Sequence, residues 1–362
     1  MSLMAANEVV ANRNAEAGLA VRHLQTQADE LGWERFVGQH PCASGYHSLT
    51  WKRLIEEVFG HRAHYLMSTN STGEVTGVLP LILTESRLFG RYLTSMPFVN
   101  YGGVLSIDEA SAGALVAAGG ELAQELGASH LELRQVQPLG GRWPVRTHKV
   151  SMRLELPPNF DALWRGFPSK LRSQLRRGEK DGLSARVGGL ECLDEFYAVF
   201  ARCMRDLGTP VYARAFFQAI LNAFPKEARL CIVSQGTTPL AAGLVYGFRH
   251  VLEIPWAASD KRYNRLSPNM LLYRTVLEYA CQVGFGVFDF GRSTIDSGTY
   301  RFKEQWGAKP CQLYWYYWLP EGRAIPELNP SNPKFKAAIE VWRRLPLPVT
   351  RWLGPHIVKY LP

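Results

Sequence analysis

The sequence predicts an α+β chain made of two similar halves, and three observations lead there. Each half runs in the same order: helices first, then an antiparallel meander, then a helix and a further strand. At 362 residues the chain suits two domains of ordinary size better than one. Its 46% hydrophobic and 20% charged composition supplies apolar material for two cores. The expected divisions are a polar, Ala/Asn-rich lead-in over 1–20, a first domain over 21–150, a second over 151–320, and a basic tail over 321–362 that packs back on the domains.

In the first half, apolar residues at helical spacing place helices near Trp33 to Val37 and from Ser48 to Phe59. The loop between them, QHPCASGYHS, carries two histidines. Tyr65 to Met67 and Val75 to Leu83 are expected strands, the second disturbed by Pro80, which suits a bulge or a splayed edge. The loop MPFVNYGGV follows. Its Asn100, Tyr101 and paired glycines form a candidate ligand loop, because such glycines let backbone N–H groups face an anion; an ordinary turn is the competing reading. An alanine-rich helix from Glu109 to Leu126 and a strand from His130 to Arg134 complete the half.

The second half opens with a strand over Val150 to Leu156, stopped by Pro157 and Pro158. From Arg165 to Arg186 there are seven basic and two acidic residues. They place Lys170, Arg172, Arg176, Arg177 and Lys180 around a helix whose Leu171 and Leu175 face inward, either as a solvated face or as a phosphate-binding one. A helix from Asp194 to Leu207 stops at Gly208, so Arg205, Asp206 and Tyr212 are candidates to line a cleft at its end. Strands over Arg229 to Ser234, Leu240 to Phe248 and Val251 to Ala257 lead to a basic loop holding Arg262 and Arg265. There Ser267 is the expected cap of a helix with Pro268 in its first turn. Arg262, Arg265, Ser267 and Asn269 are therefore candidate ligands for the phosphate of a donor.

The stretch GVFDFGRSTIDSGTYRFKEQWG, residues 286–307, draws the chemistry together. It is expected to run as a strand carrying Asp289, break at Gly291, pass through a loop presenting Arg292, Ser293 and Thr294, and close on Tyr300, Phe302 and Lys303. An ammonium emerging beside an apolar wall stabilises a developing oxyanion more than it would in water. Lys303 is the candidate for that role, Arg292 for gripping a phosphate or carboxylate, and Asp289, Asp206 and Tyr300 for accepting a proton. No Ser-His-Asp or Cys-His order stands out, which favours direct transfer over a covalent intermediate.

The net charge of +9 favours polyanionic partners without choosing among nucleic acid, nucleotides and anionic membrane. Six scattered cysteines without a CxxC pair argue against a zinc knuckle or disulfide framework, and no metal site is expected. His61 and His64 are assigned structural or exposed positions. The N-terminal residues lack the apolar core of a signal peptide, and no window has the length of a transmembrane helix. The expected location is cytoplasmic, with possible contact at the inner face of the membrane. The tail has apolar residues at helical spacing and a surplus of Lys and Arg. It suits packing on the protein, with an anionic membrane as the alternative.

The segments SPNMLLYRTVLEYACQVGFGVFDFGRS and YRFKEQWGA resemble the FemAB family and its tandem GNAT-fold relatives. HPCASGYHSLTW, KLRSQLRR, MRDLGTPVY, EIPWA and WRRLPLPVTRWLGPHIV resemble the branch associated with the exosortase/PEP-CTERM system. The resemblance covers nearly the whole chain. It implies two GNAT-like (acyl-CoA N-acyltransferase) domains with mixed, mostly antiparallel sheets facing a cleft. It also implies transfer of an acyl or aminoacyl group to an amine of a cell-envelope or exopolysaccharide precursor, nucleotide- or lipid-linked. The expected donor is aminoacyl-tRNA or acyl-CoA, with no tightly bound cofactor. Phe302 and Lys303 match a Phe-Lys pair thought to assist transfer, and Lys170 to Arg177 match cationic positions. The chain departs from the family by lacking the long coiled-coil arm, and from ordinary GNAT enzymes by lacking a glycine-rich pyrophosphate loop. A CoA-dependent acyltransferase and a non-catalytic binder of anionic glycolipid or nucleic acid remain as alternatives.

Overall fold

The computed structural model describes residues 18–361 apart from 88, 142 and 327–332, without the side chains of 177–180 and 333–335. The expected lead-in therefore lies mostly outside the described residues, as do the side chains of Arg177 and Lys180. The chain divides into two units, 1–149 with 312–326, and 150–311 with 327–361.

In the first unit the elements are β1 (Ala20–His23), α1 (Gln27–Gln39), α2 (Leu49–Phe59), β2 (Arg62–Ala63), β3 (Leu66–Thr69), β4 (Val75–Leu79), β5 (Ile82–Ser86), β6 (Gly90–Thr94), β7 (Leu105–Ser106), α3 (Glu109–Glu125), β8 (Leu131–Gln135) and β9 (Val145–Arg146). The single strand expected over Val75 to Leu83 is in fact two strands in different sheets. The chain leaves β4 at Pro80, which cannot donate to a ladder, and re-enters as β5. One sheet has the order β1-β3-β4-β7. Leu79 of β4, Leu93 of β6, Leu115 of α3, and Leu131 and Leu133 of β8, all fully buried, share one core that draws on both of the unit's sheets and α3.

The second unit holds β10 (Lys149–Glu155), α4 (Phe160–Gly166), α5 (Ser169–Lys180), β11 (Leu183–Gly188), α6 (Leu193–Leu207), α7 (Arg214–Ala223), β12 (Ala228–Gln235), β13 (Thr238–Phe248), β14 (Val251–Ser259), α8 (Pro268–Val283), β15 (Val287–Thr294), α9 (Gly298–Glu304) and β16 (Lys309–Gln312). They build one seven-stranded sheet, β11-β12-β13-β14-β15-β10-β16. Its core packs Val276, Leu277 and Ala280 of α8 against Phe288 and Phe290 of β15, with Trp306 alongside. The strand does not break at Gly291 as expected. That glycine takes φ +75°, a value only glycine adopts without cost, so β15 kinks there and continues to Thr294.

A final strand, β17 (Tyr314–Trp318), was expected in the second domain. It lies instead in the first unit's other sheet, β2-β5-β6-β8-β17-β9, pairing antiparallel with β8 from Tyr314↔Gln135 to Trp318↔Leu131. A run of five aromatics finds full cross-strand partners there. The Tyr317 hydroxyl also donates to the buried Glu132 carboxylate at 2.8 Å. The tail then forms α10 (Pro333–Arg344) and α11 (Leu347–Val358), which pack against α6.

Candidate functional site

In the second unit β14 and β15 run parallel but pair only at their starts, Val251↔Val287 to Glu253↔Asp289. Beyond that register β14 stays with β13 while β15 departs. The two strands thus open a V at their carboxyl ends, with α8 connecting them and α9 following β15. Such an opening lets a ligand reach backbone groups that a closed ladder would occupy.

Lys303 sits on α9 and folds back over β15. It was expected to protrude; it is buried instead, with 7% of its surface exposed, and its Nζ donates to the Gly291 and Arg292 carbonyls, each at 2.9 Å. The reason is the kinked strand, whose carbonyls beyond Gly291 supply the acceptors a buried ammonium needs. Burial lowers the lysine pKa to about 8, with the Arg292 charge adding to the fall and the Asp289 and Glu253 carboxylates opposing it. Two of three N–H donors are occupied, which leaves one for a ligand.

Asp289 is fully buried and heavily engaged. One oxygen accepts from the Ser151 hydroxyl and from the Gly291 N–H at 2.8 Å; the other accepts from Arg153 Nε at 3.0 Å. Glu253, 3% exposed, is its register partner on β14. Ser293 is also buried at 3%, and its hydroxyl has no hydrogen-bond partner among the described residues. A buried hydroxyl left so is costly unless something else satisfies it. Arg292 is half-buried beside it, Tyr300 and Phe302 pack partly buried on the core, and the Phe302 ring meets Tyr273 edge-on at 5.1 Å.

The remaining candidates fall into groups. Arg262 was expected to be a phosphate ligand, but Asp260 grips it through Nε and Nη2 at 2.5–3.0 Å, and Arg202 reaches the same carboxylate at 3.4 Å. Burial works against the Asp260 charge, and the Arg262 bonds override it, holding the carboxyl below its usual range. Arg205 and Asp206 pair at the end of α6, with Lys261 at 3.5 Å from Asp206. They thereby join this network. Tyr212 belongs to an aromatic cluster with Phe216, Phe217 and Trp256. Ser267 does not cap α8: it takes φ +52° and its side chain makes no cap bond, because the turn over Lys261–Leu266 runs straight into the helix. Asn269 is half-buried in the first turn and Arg265 is exposed. On α5, Lys170 is exposed, Arg172 half-buried, and Arg176 lies 5.6 Å above the Trp164 ring, which Arg274 approaches at 5.2 Å.

Asn100 and Tyr101 lie in the first unit. There β7 and β8 belong to different sheets and α3 connects them, again leaving a gap. It holds a cavity of about 730 Å³ lined by His40, His47, Tyr101, Gly103, Asp108 and Gln135, among others. His47 Nε2 faces the Gly103 carbonyl at 3.1 Å, and burial lowers its pKa to about 4 against the opposing hydrogen bonds of Gly103 and Ser44. His40 Nε2 donates to the Ser106 carbonyl at 3.0 Å. The start of α3 is already capped by the Asp108 carboxylate on the Ser111 N–H at 2.7 Å.

Sequence reasoning missed Glu253, Ser151 and Arg153. The segment EIPWA held Glu253, but an acid inside an apolar strand was the only available signal; Ser151 and Arg153 meet Asp289 from 136 residues or more away in sequence. Among the described residues no group of His, Cys, Asp and Glu is arranged to hold a metal ion, and no helix is long and apolar enough to cross a membrane.

These splayed parallel strands, with the connecting helix between them, are the core of a GNAT-like fold, mixed α+β with mixed sheets. The Acetyltransferase (GNAT) domain family matches residues 166–304, which contain β14, α8, β15 and Lys303. Among solved structures the chain is similar to FemX (TM-score 0.62, 16% identity, covering 82% of this chain and 96% of that one). It is also similar to a tandem GNAT protein from the clavulanic acid biosynthesis pathway (TM-score 0.53, 12% identity, 85% and 100% covered). A third similar structure is the C-terminal domain of a putative lysylphosphatidylglycerol synthetase from Agrobacterium fabrum (TM-score 0.54, 14% identity, 81% and 92% covered). No curated protein matches the chain.

Proposed function

We propose that this chain is an N-acyl or aminoacyltransferase of GNAT type, with its transfer chemistry at the open end of β14 and β15. The observation that carries the reading is Lys303: a buried ammonium held by two strand carbonyls, one donor left over, beside the unpartnered Ser293 hydroxyl. An acceptor amine attacks the donor carbonyl, a tetrahedral oxyanion forms, and the remaining Lys303 N–H stabilises it. The oxyanion then collapses with expulsion of the donor alcohol or thiol, while a base takes the amine proton. Ser293 and Arg292 hold donor or acceptor oxygens. Asp289, with both oxygens engaged, is assigned to positioning β15 and to keeping Lys303 charged rather than to taking the proton. Asp206, with one oxygen paired to Arg205 and the other to Lys261, is set aside on the same ground, and Tyr300 remains the proposed proton acceptor.

An aminoacyl ester is the leading donor, since Arg262 is neutralised by Asp260 and α8 begins with Pro268, which has no N–H to offer a pyrophosphate. Acyl-CoA is the second reading, supported by the GNAT match over 166–304. The acceptor, an amine of a cell-envelope or exopolysaccharide precursor, and membership of the PEP-CTERM-associated branch rest on the sequence resemblance. The test is product formation from aminoacyl-tRNA and from acetyl-CoA with amino-sugar and peptide amines, for the native chain and Lys303→Met. Turnover in the variant equal to that of the native chain refutes the assignment of Lys303. Product from acetyl-CoA alone selects the second donor.

A further inference from the structure

The tail is basic. Residues 332–362 hold six Lys or Arg and one Glu, five of the chain's nine net positive charges. The structure folds this segment into α10 and α11 and fixes one face of each on α6. On α11 the fixed face is Thr350, Gly354 and Val358, spaced i, i+4, i+8 and all buried. Gly354 meets the Val211 backbone so closely that an added Cβ would lie 2.8 Å from its nitrogen. On α10 the fixed face includes the buried Trp342.

The opposite faces are apolar and cationic together. Val349, Trp352 and His356 form a stripe on α11, i, i+3, i+7, turned away from Thr350, Gly354 and Val358. Trp352 is 71% exposed, Val349 39%, and Val341 of α10 62%. Lys336 and Arg344 are exposed around them, while Arg351 lies 5.0 Å above the Tyr197 ring of α6 and belongs to the packed side. Packing on the protein and contact with a surface are therefore compatible, because each helix uses one face for each.

We propose that the outer faces of α10 and α11 form a docking surface for an anionic lipid bilayer, with Trp352, Val349 and Val341 entering the interface and the basic side chains facing the headgroups. Charge complementarity selects an anionic surface, and exposed aliphatic side chains beside the tryptophan select lipid over a soluble polyanion. The inference stands apart from the proposed chemistry, since none of these residues belongs to the opening between β14 and β15.

The experiment is flotation of the full chain with vesicles of phosphatidylglycerol and phosphatidylcholine, or phosphatidylcholine alone. The chain is expected to partition to the anionic vesicles and to be released by salt. Lys336→Gln and Arg344→Gln should each weaken binding about fivefold, following the ~1 kcal/mol that one basic residue contributes near an anionic surface. Trp352→Ala should weaken it about tenfold. All three side chains are exposed, so thermal melting should be unchanged and loss of binding cannot be ascribed to unfolding. Equal binding to both vesicle types, or native-like binding by Trp352→Ala, overturns the proposal. Displacement by a soluble oligonucleotide that binds native and Trp352→Ala chains alike also overturns it, and points to a polyanion in solution.

Discussion

The two units place a gap at the same topological position, where a strand, a connecting helix and a further strand leave the sheet open, yet they fill it with opposite chemistry. In the first unit the helix start is occupied by Asp108, and the cavity wall presents a histidine held neutral. In the second the helix start has no side-chain cap and the neighbouring strand carries a buried ammonium. The same arrangement of strand, helix and strand thus carries different side chains in the two units.

The sharpest way to break this contrast is to remove what holds the second gap in shape. Asp289→Ala strips the partner from Ser151, Arg153 and the Gly291 N–H, and should destabilise the fold by about 3–5 kcal/mol in denaturant titration. Asp289→Asn should cost much less, as it keeps an acceptor. Lys303→Met should lower turnover by about two orders of magnitude and leave stability equal or higher, since it deletes a buried charge; a matching loss of stability would make the lysine structural. The same residue sets a pH dependence. Its folded pKa of about 8 lies below its unfolded 10.5, so the unfolded chain binds more protons between those values. Stability from this group therefore rises as pH climbs from 8 to 10.5. Turnover should fall over the rise through pH 8 if the ammonium serves the oxyanion, and increase if the free amine acts as base.

In the first gap, Gly103→Ala puts a Cβ 2.3 Å from the Gln135 amide and 3.0 Å from the Arg134 carbonyl, and should cost about 1–3 kcal/mol while narrowing the cavity. His47 runs as Lys303 does but at lower pH. With a folded pKa near 4 against 6.5 unfolded, its contribution is complete above 6.5 and is lost as pH falls toward 4; His47→Gln should flatten that part of the stability profile. The smallest effect belongs to Arg265→Ala, an exposed change expected to alter stability by less than about 0.5 kcal/mol while raising the KM for a phosphorylated donor.

Local signals in the sequence were sufficient for most elements. Gly208 closes α6 in the left-handed conformation, Pro268 opens α8, and the leucines of α5 point inward as their spacing requires. What escaped depends on partners far along the chain. Nothing near Lys303 announces that two carbonyls of β15 will bury it, nor that Ser151 and Arg153 will converge on Asp289. Arg262 looked like a phosphate ligand because its sequence neighbours are basic, while its actual partner, Asp260, lies two residues away and turns inward. Basic character in the tail was readable too, but only packing on α6 decides which face it offers.

The placement of β17 has a consequence for how the chain is made. That strand sits between β8 and β9, yet it is translated after the whole of β10 to β16. The amino-terminal sheet must therefore wait on the ribosome with a vacant slot while the neighbouring unit is synthesised, and the late strand closes it over a separation that slows folding. A fragment ending near Lys149 would keep that slot open and expose two unpaired edges, so the first unit should not be obtainable as a stable piece by cutting the chain there.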